Sequence, residues 1–371
     1  MRNAHRPWDL KQMQSLPLEA KIRMTKERIE AWYNAWWRYE IEDTATGKTR
    51  FVTFDTRDQL AEPPMKESEW VKSAYPGAVY VSFSGGKDST VLKHIVDSMY
   101  DDVPAIFVNT GLEFPEIQKF AMTQKNVVTV RPEMRFDEVL KTYGYPVISK
   151  DVALRLSYAQ KGAPWALNAV QGLNKDGTYS EFKQRYKRYA DLVDSGIPVS
   201  SYCCDVMKKK PAKAYEKLTG RKPILGTLAC ESKQREQAWM RTGCNGFDST
   251  RPKSQPLAFW TEQDILHYIK KYDVPYCSIY GDIEPEESQM CFADDEEKLK
   301  TTGRDRTGCI FCMFGCKQDR QPTRFQQLKE THPRQYEYCI NGGEMVDGRW
   351  QPNKEGLGLG FVLDYIGVKY D

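Results

Sequence analysis

Several things are scarce in this chain of 371 residues, and each scarcity removes a class of function. Histidine occurs four times, never at metal-ligand spacing, so imidazole metal sites and histidine acid–base catalysis have no support. No run of 18 apolar residues exists, and the first residues (MRNAHRPWDLKQ) carry no apolar stretch of the signal-peptide kind. No membrane partner and a cytoplasmic setting are therefore expected. Net charge is small: 54 Lys+Arg against 51 Asp+Glu leaves +3, so any nucleic-acid surface has to be a local patch. All ten cysteines lie from Cys203 onward. In a cytosolic chain these read as metal ligands, redox groups or core thiols rather than a disulfide framework.

What is present falls into three stretches. Residues 1–75 form a helical N-terminal extension with a linker: in 17–40, Ile22, Met24, Ile29, Trp32 and Trp36 recur near helical period, which predicts a docking helix. Residues 41–75, with Pro63-Pro64 and then Pro76, predict a hairpin followed by a linker. Beyond them AVYVSF, AIFVNTG (105–111), VVTVRP (127–132) and PILGTLA (223–229) are short β-rich runs without alternation, each followed by a helical segment. Buried strands separated by helices predict an α/β domain with a doubly wound parallel sheet over 76–275. A Gly-, Lys- and Tyr-rich insertion at about 151–200 interrupts it, and its FKQRYKRYADL reads as a basic helical turn. The remaining 276–371 is a Cys-rich, loop-rich C-terminal region, and no internal repeat is evident.

Ser84-Gly85-Gly86-Lys87-Asp88-Ser89 lies between a predicted strand and a predicted helix. Two glycines allow a tight turn that aims successive N–H groups and a helix N-terminus at an anion. Lys87 adds charge, Ser84, Ser89 and Thr90 add hydroxyl donors, and Asp88 is placed to orient Lys87 or a metal ion. The spacing is neither GxxxxGK[ST] nor GxGxxG, so kinase-type and NAD-type loops are excluded. Thr110, Gly111 and Glu113 end the second strand and border the same sheet edge. Glu231 and Arg235 stand at i and i+4 beyond the fourth strand, where they can pair with each other or where Arg235 can meet a phosphate.

Cys203-Cys204 and Cys309-x-x-Cys312 are the best ligand candidates. A CxxC turn holds two thiolates at one metal centre, whereas adjacent cysteines point apart, which suits two irons of a cluster better than one zinc ion. An iron–sulfur cluster, a four-cysteine zinc site and ordinary core thiols all stay open on spacing alone. Cys230, at the end of the predicted strand, Cys244 after the next helix, and Cys316 just past Cys312 are sulfur-relay candidates or small buried residues. Cys277, Cys291 and Cys339 offer no spacing argument.

SFSGGKDSTV resembles the PP-motif of the adenine nucleotide α-hydrolase superfamily, whose members attack ATP at its α-phosphate and release pyrophosphate. FVNTGLEFPE, CCDVMKKKP, GTLACESKQR, QPLAFWTEQDILHYI and TGCIFC follow it in order, and together over residues 78–316 they resemble the phosphoadenosine phosphosulfate (PAPS) reductase family. The resemblance implies a PP-loop, Rossmann-like fold. It implies that Glu231 and Arg235 face the nucleotide, and a 4Fe-4S cluster on Cys203, Cys204, Cys309 and Cys312 with Lys208 beside it; Thr110, Gly111 and Glu113 are expected to border the nucleotide by strand-edge geometry, and Lys87, Asp88, Arg235 and Lys208 to be the catalytic residues. Two departures weigh against sulfonucleotide reduction. No C-terminal segment like ECGLH is present, and the phosphate loop is intact and suited to a departing pyrophosphate.

The expected function is therefore cleavage of ATP, with Mg²⁺, to an adenylyl intermediate and pyrophosphate, supporting iron–sulfur-dependent sulfur transfer. In this the chain resembles DndC-type DNA phosphorothioation proteins and, more distantly, cluster-bearing tRNA thiolases. Reduction of APS or PAPS is the alternative, and a nucleotide-sensing module a third reading. A cysteine desulfurase or other sulfur donor is an expected partner. Basic and aromatic stretches at 21–40 and 183–189 are compatible with DNA or tRNA and require neither.

Overall fold

The computed structural model describes residues 5–57, 63–286 and 297–371, so Cys291 lies outside the described residues. The chain folds into two compact units, each woven from alternating segments: 1–109, 114–130 and 212–307 form the first, and 110–113, 131–211 and 308–371 the second.

In the first unit the helix Leu18–Ala35 buries Ile22, Thr25, Ile29 and Trp32, residues three or four apart on one face. The pattern predicts this helix through residue 40, but it stops at Ala35. From Trp36 the run WWRYEIED forms strand β1 (Trp36–Asp43), which pairs antiparallel with β2 (Lys48–Asp55) and β3 (Glu69–Pro76). The expected hairpin is the β1–β2 pair, and the expected linker contains a third strand. Aromatic side chains pack on a helix or a pleated sheet alike, and here two strand partners decide the outcome.

The central sheet contains β4 (Val79–Phe83), β5 (Ala105–Val108), β6 (Val127–Val130), β7 (Lys222–Leu225), β8 (Asn245–Gly246) and β9 (Lys253–Ser254). Its order is β6-β5-β4-β7-β9-β8. All neighbours are parallel except the antiparallel β8–β9 edge. Val79, Val81, Ile106 and Ile224 are fully buried, as expected of parallel strands covered on both faces. The chain moves outward from β4 through β5 to β6 and then returns to the other side of β4 as β7. That reversal makes the carboxyl ends of β4 and β7 the switch point at which α/β sheets bind ligands.

The second unit is mainly helical. Its helices include Phe136–Tyr143, Lys150–Ala159, Pro164–Val170, Arg324–Thr331, Pro333–Ile340 and Leu359–Ile366. Leu140, Ala153, Leu156, Phe325 and Leu363 form its core. The basic stretch predicted as a helical turn is a short helix, Gln184–Lys187, between two 3-10 turns. Among the described residues no helix is long and apolar enough to cross a membrane.

Candidate functional site

The loop after β4 turns back at Gly85, whose φ of +73° and 2.9 Å clearance from Ile117 Cγ2 leave no room for a Cβ. Gly86 caps the helix Lys87–Asp97. The turn is held internally: the Ser84 and Ser89 hydroxyls lie 3.0 Å apart, and Ser89 and Thr90 donate to the Gly86 carbonyl at 2.9 and 3.0 Å. Gly226, just beyond β7, lets that strand's end approach closely, since a Cβ there would stand 3.0 Å from the Asp88 carbonyl oxygen.

Between these two strand ends opens a cavity of 270 Å³ within the first unit. Ser84, Gly86, Lys87, Asp88, Ser89, Glu231 and Arg235 line it together with Tyr280, Arg306 and Thr307. Thr90 is engaged with the Gly86 carbonyl, and Gly85 shapes the turn, so these two support the wall. Arg235 pairs with Glu231, as their spacing suggested, with Glu231 in a 3-10 turn ahead of the helix. Lys87 is buried: its Nζ donates to the Asp305 carbonyl at 2.8 Å and pairs with Glu262 at 2.9 Å. Its backbone N–H donates to the Tyr280 hydroxyl at 3.2 Å, and that hydroxyl lies 2.7 Å from Thr307 Oγ1.

Asp88 is the anomaly of this cavity. Its Oδ1 is buried without a hydrogen-bond partner. Burial pushes its carboxyl above the ordinary carboxylate range; Lys87 opposes the shift, Glu262 adds to it, and Arg306 and Arg235 oppose it. An unsatisfied, ionisable oxygen facing three cationic side chains and several hydroxyls has the chemistry of a divalent-cation ligand beside a polyphosphate site.

Tyr280, Glu262, Asp305, Arg306 and Thr307 escaped the sequence reading. Glu262 sits inside the quoted WTEQDILHYI motif, and the run RDRTG immediately before the CxxC was the signal available for the other late residues.

The second unit gathers the cysteines. Cys203, Cys204, Cys309 and Cys312 line one small pocket whose other walls are Leu112, Phe136, Pro146, Phe311 and Phe314. A five-residue π-helix, Asp205–Lys209, follows the Cys pair, a rare form that recurs at functional sites. It carries Lys208, 3.7 Å from Glu113. Glu113 also accepts from Thr110, through its N–H at 3.0 Å and its hydroxyl at 2.8 Å. The structure thus groups Thr110, Gly111 and Glu113 with Lys208 in the second unit. On the other side Arg324, clamped by Asp319, donates to the Cys312 and Phe314 carbonyls at 3.1 and 3.0 Å and braces the CxxC loop.

Burial pushes the Cys203 thiol well up and the Cys309 thiol up to about 11, with Lys208 opposing the shift at Cys309. A bound metal reverses this by holding thiolates. Among the described residues no three His, Cys, Asp or Glu side chains converge tightly enough for one metal ion. Four thiols spread around an apolar pocket, without a carboxylate or imidazole, fit a cubane, whose four irons each take a separate thiolate, better than a single zinc ion.

The relay candidates separate by exposure. Cys230 is exposed and lies near Asp88, Arg306 and Glu262. Cys244 is buried beside Arg28 and Trp239, and Cys316 is buried with its thiol on the Met313 carbonyl at 3.0 Å.

A phosphate loop at the switch point of a parallel sheet defines a nucleotide-binding α/β protein. More narrowly, residues 78–153 and 164–316 match the phosphoadenosine phosphosulfate reductase domain model, and the chain belongs to that family. Relatives include a phosphoadenosine 5'-phosphosulfate reductase of Alkalilimnicola ehrlichii, 23% identical over 59% of this chain and 72% of the relative. An uncharacterised protein of Methanocaldococcus jannaschii is 24% identical over 69% of this chain, which spans only 45% of that relative's length. Among solved structures, the PAPS reductase of Candida auris in a phosphate complex aligns at 16% identity and a TM-score of 0.30, over 54% of this chain and 75% of that one.

Proposed function

We propose that this protein cleaves ATP between its α- and β-phosphates, activating an acceptor as its adenylate for sulfur transfer. The observation that carries the reading is the phosphate-loop cavity, in which Lys87, Arg235 and Arg306 face the partnerless Asp88 oxygen. An acceptor oxygen attacks the α-phosphorus, the bond to the bridging oxygen breaks, and pyrophosphate leaves with the electron pair. Lys87, Arg235, Arg306 and the N–H groups at the helix start stabilise the charge that grows on that leaving group. A magnesium ion on Asp88 would supply further neutralisation of the polyphosphate. A sulfide-level nucleophile then displaces AMP from the acceptor.

A 4Fe-4S cluster on Cys203, Cys204, Cys309 and Cys312 would supply a site that binds or delivers sulfur. Lys208 stands next to Cys309 and offers it a hydrogen bond. DNA or tRNA as acceptor, and a cysteine desulfurase as sulfur source, belong to the same proposal.

Reduction of APS or PAPS is the second reading, favoured by the names of the relatives. It would use Cys339 or an external thiol as its nucleophile. Cys339, the only cysteine of the last 50 residues, is fully buried on the helix Pro333–Ile340, and burial pushes its thiol far up. Anaerobic protein incubated with ATP or with PAPS, with and without nucleic acid and a sulfur donor, separates the readings. Pyrophosphate release from ATP is expected; sulfite release from PAPS with ATP untouched overturns the proposal.

A further inference from the structure

The second unit contains a cavity of 340 Å³ that the chemistry above does not use. Tyr143, Ser157, Gln160, Lys161, Tyr202 and Arg349 are among the side chains that line it. No carboxylate lines it, so its only charged lining residues are the cations Lys161 and Arg349. Among the described residues neither pairs with a carboxylate, and the Lys161 ammonium lies 6.0 Å from the centre of the Tyr158 ring. The rings of Tyr143 and Tyr202 lie 5.8 Å apart and are tilted by 39°, an aromatic surface in a space whose lining also includes the apolar Val193, Ile197, Pro198 and Val199.

The wall is a built feature. Gln160 donates from its amide to the Leu192 and Ile197 carbonyls at 2.9 and 2.7 Å and accepts from the Val199 N–H at 2.9 Å. Tyr145 donates its N–H to the Pro198 carbonyl at 2.7 Å, and Ser200 donates to the Tyr145 carbonyl at 3.0 Å. The hairpin that carries Arg349 is tied down by the Trp350 N–H on the Gly196 carbonyl at 2.8 Å. A loop fixed from three directions presents a pre-formed concave surface, the kind that binds small ligands with little ordering cost.

Aromatic faces, hydroxyls and unpaired cations around one space of this size match a phosphate attached to a ring system. We propose that the cavity binds one nucleotide unit, its phosphate against Lys161 and Arg349 and its base against Tyr143 and Tyr202. The unit is either a free mononucleotide or one residue of a single strand. The same insertion exposes Tyr179 and Phe182, with Arg185 stacked 3.8 Å over the Phe182 ring, which gives a strand further contacts. The segment that ends at Tyr202 continues directly into Cys203, a wall of the cysteine pocket. On the sulfur-transfer reading we take the bound unit to be the acceptor; the binding itself does not rest on that reading.

The test measures fluorescence anisotropy of short labelled RNA and DNA single strands, and calorimetry with AMP. Both use saturating non-hydrolysable ATP analogue so that the phosphate-loop cavity is filled. Wild-type protein binds at least one probe, and Lys161→Glu with Arg349→Glu weakens that binding about tenfold or more at low salt without lowering the melting temperature. If the charge reversal unfolds the unit, Lys161→Gln with Arg349→Gln carries the same expectation. Strand binding alone assigns a polymer, AMP binding alone a free nucleotide. Failure of wild type to bind any probe, or equal binding by the folded double variant, overturns the proposal. Strand binding without pyrophosphate release would sink the ATP-cleavage reading and leave this site standing.

Discussion

Replacing Asp88 by asparagine keeps the side chain's shape and removes its charge. In the native fold the Asp88 Oδ1 is buried without a donor, and burial disfavours the ionised carboxyl. The sign follows from linkage: an acid whose native pKa is raised subtracts stability once pH exceeds its unfolded value, because the unfolded chain ionises more readily. A buried polar atom without a partner costs on the order of 1–3 kcal/mol, and more when it is charged. In Asp88→Asn the introduced amide keeps an unsatisfied polar atom, so the net gain is about 1 kcal/mol, or roughly 2–4 °C in melting temperature for a domain of 150–250 residues. Activity moves the other way. If Asp88 holds the divalent ion of a polyphosphate site, turnover falls by about 100-fold or more. The assays are calorimetric melting of the ligand-free protein and pyrophosphate release from ATP with magnesium. A variant both more stable and inactive marks a residue kept for chemistry. A lower melting temperature with turnover intact refutes the reasoning and makes Asp88 a packing residue.

Further outcomes follow from the same geometry. Glu262, half exposed, competes with a phosphate for the Lys87 ammonium at 2.9 Å, so Glu262→Gln should tighten ATP binding up to about fivefold, measured by calorimetry; weaker binding contradicts that competition. Cys203→Ala or Cys309→Ala should lower iron content and visible absorbance of anaerobic protein, whereas Cys277→Ala, outside the pocket, should leave both; a colourless, zinc-bearing wild type sinks the cluster. Burial holds His94 below its ordinary pKa, so the unfolded chain protonates first and stability should fall as pH drops through about 6.5. His94→Gln should flatten that slope in urea titrations between about pH 5 and 7; parallel slopes would show that other groups set it.

The α/β core was legible because its strands lack alternation. Val79–Phe83 and Ala105–Val108 are buried almost throughout, as are Pro223 and Ile224, while the edge strand Val127–Val130 is partly exposed. The end of the first long helix was not legible. Trp36 continues the apolar pattern of the helix and also opens β1, and strand pairing is a non-local event that no window of sequence contains. The phosphate loop announced itself through contiguous residues. Tyr280, Arg306 and Thr307 complete the same cavity from some 200 residues away, and a single sequence gives no register for such approaches. Thr110 and Glu113 were assigned to the nucleotide by strand-edge logic alone. Their grouping with Lys208 depends on where the chain leaves the sheet, a turn that the composition of NTGLE does not specify.

Spacing alone could not divide the cysteines, and burial now carries that division further. Four line one apolar pocket. Cys244, Cys277, Cys316 and Cys339 are buried, and burial raises each thiol above its ordinary value. A thiol in that state is a poor nucleophile, because the reactive thiolate is the form that burial penalises. Cys244 and Cys316 are buried in this conformation. Cys230 differs from them in two respects. Its side chain is exposed, and its sequence neighbour Glu231 lines the phosphate-loop cavity. Partial burial raises this thiol too, and Asp88 and Glu262 add to the shift while Arg306 opposes it.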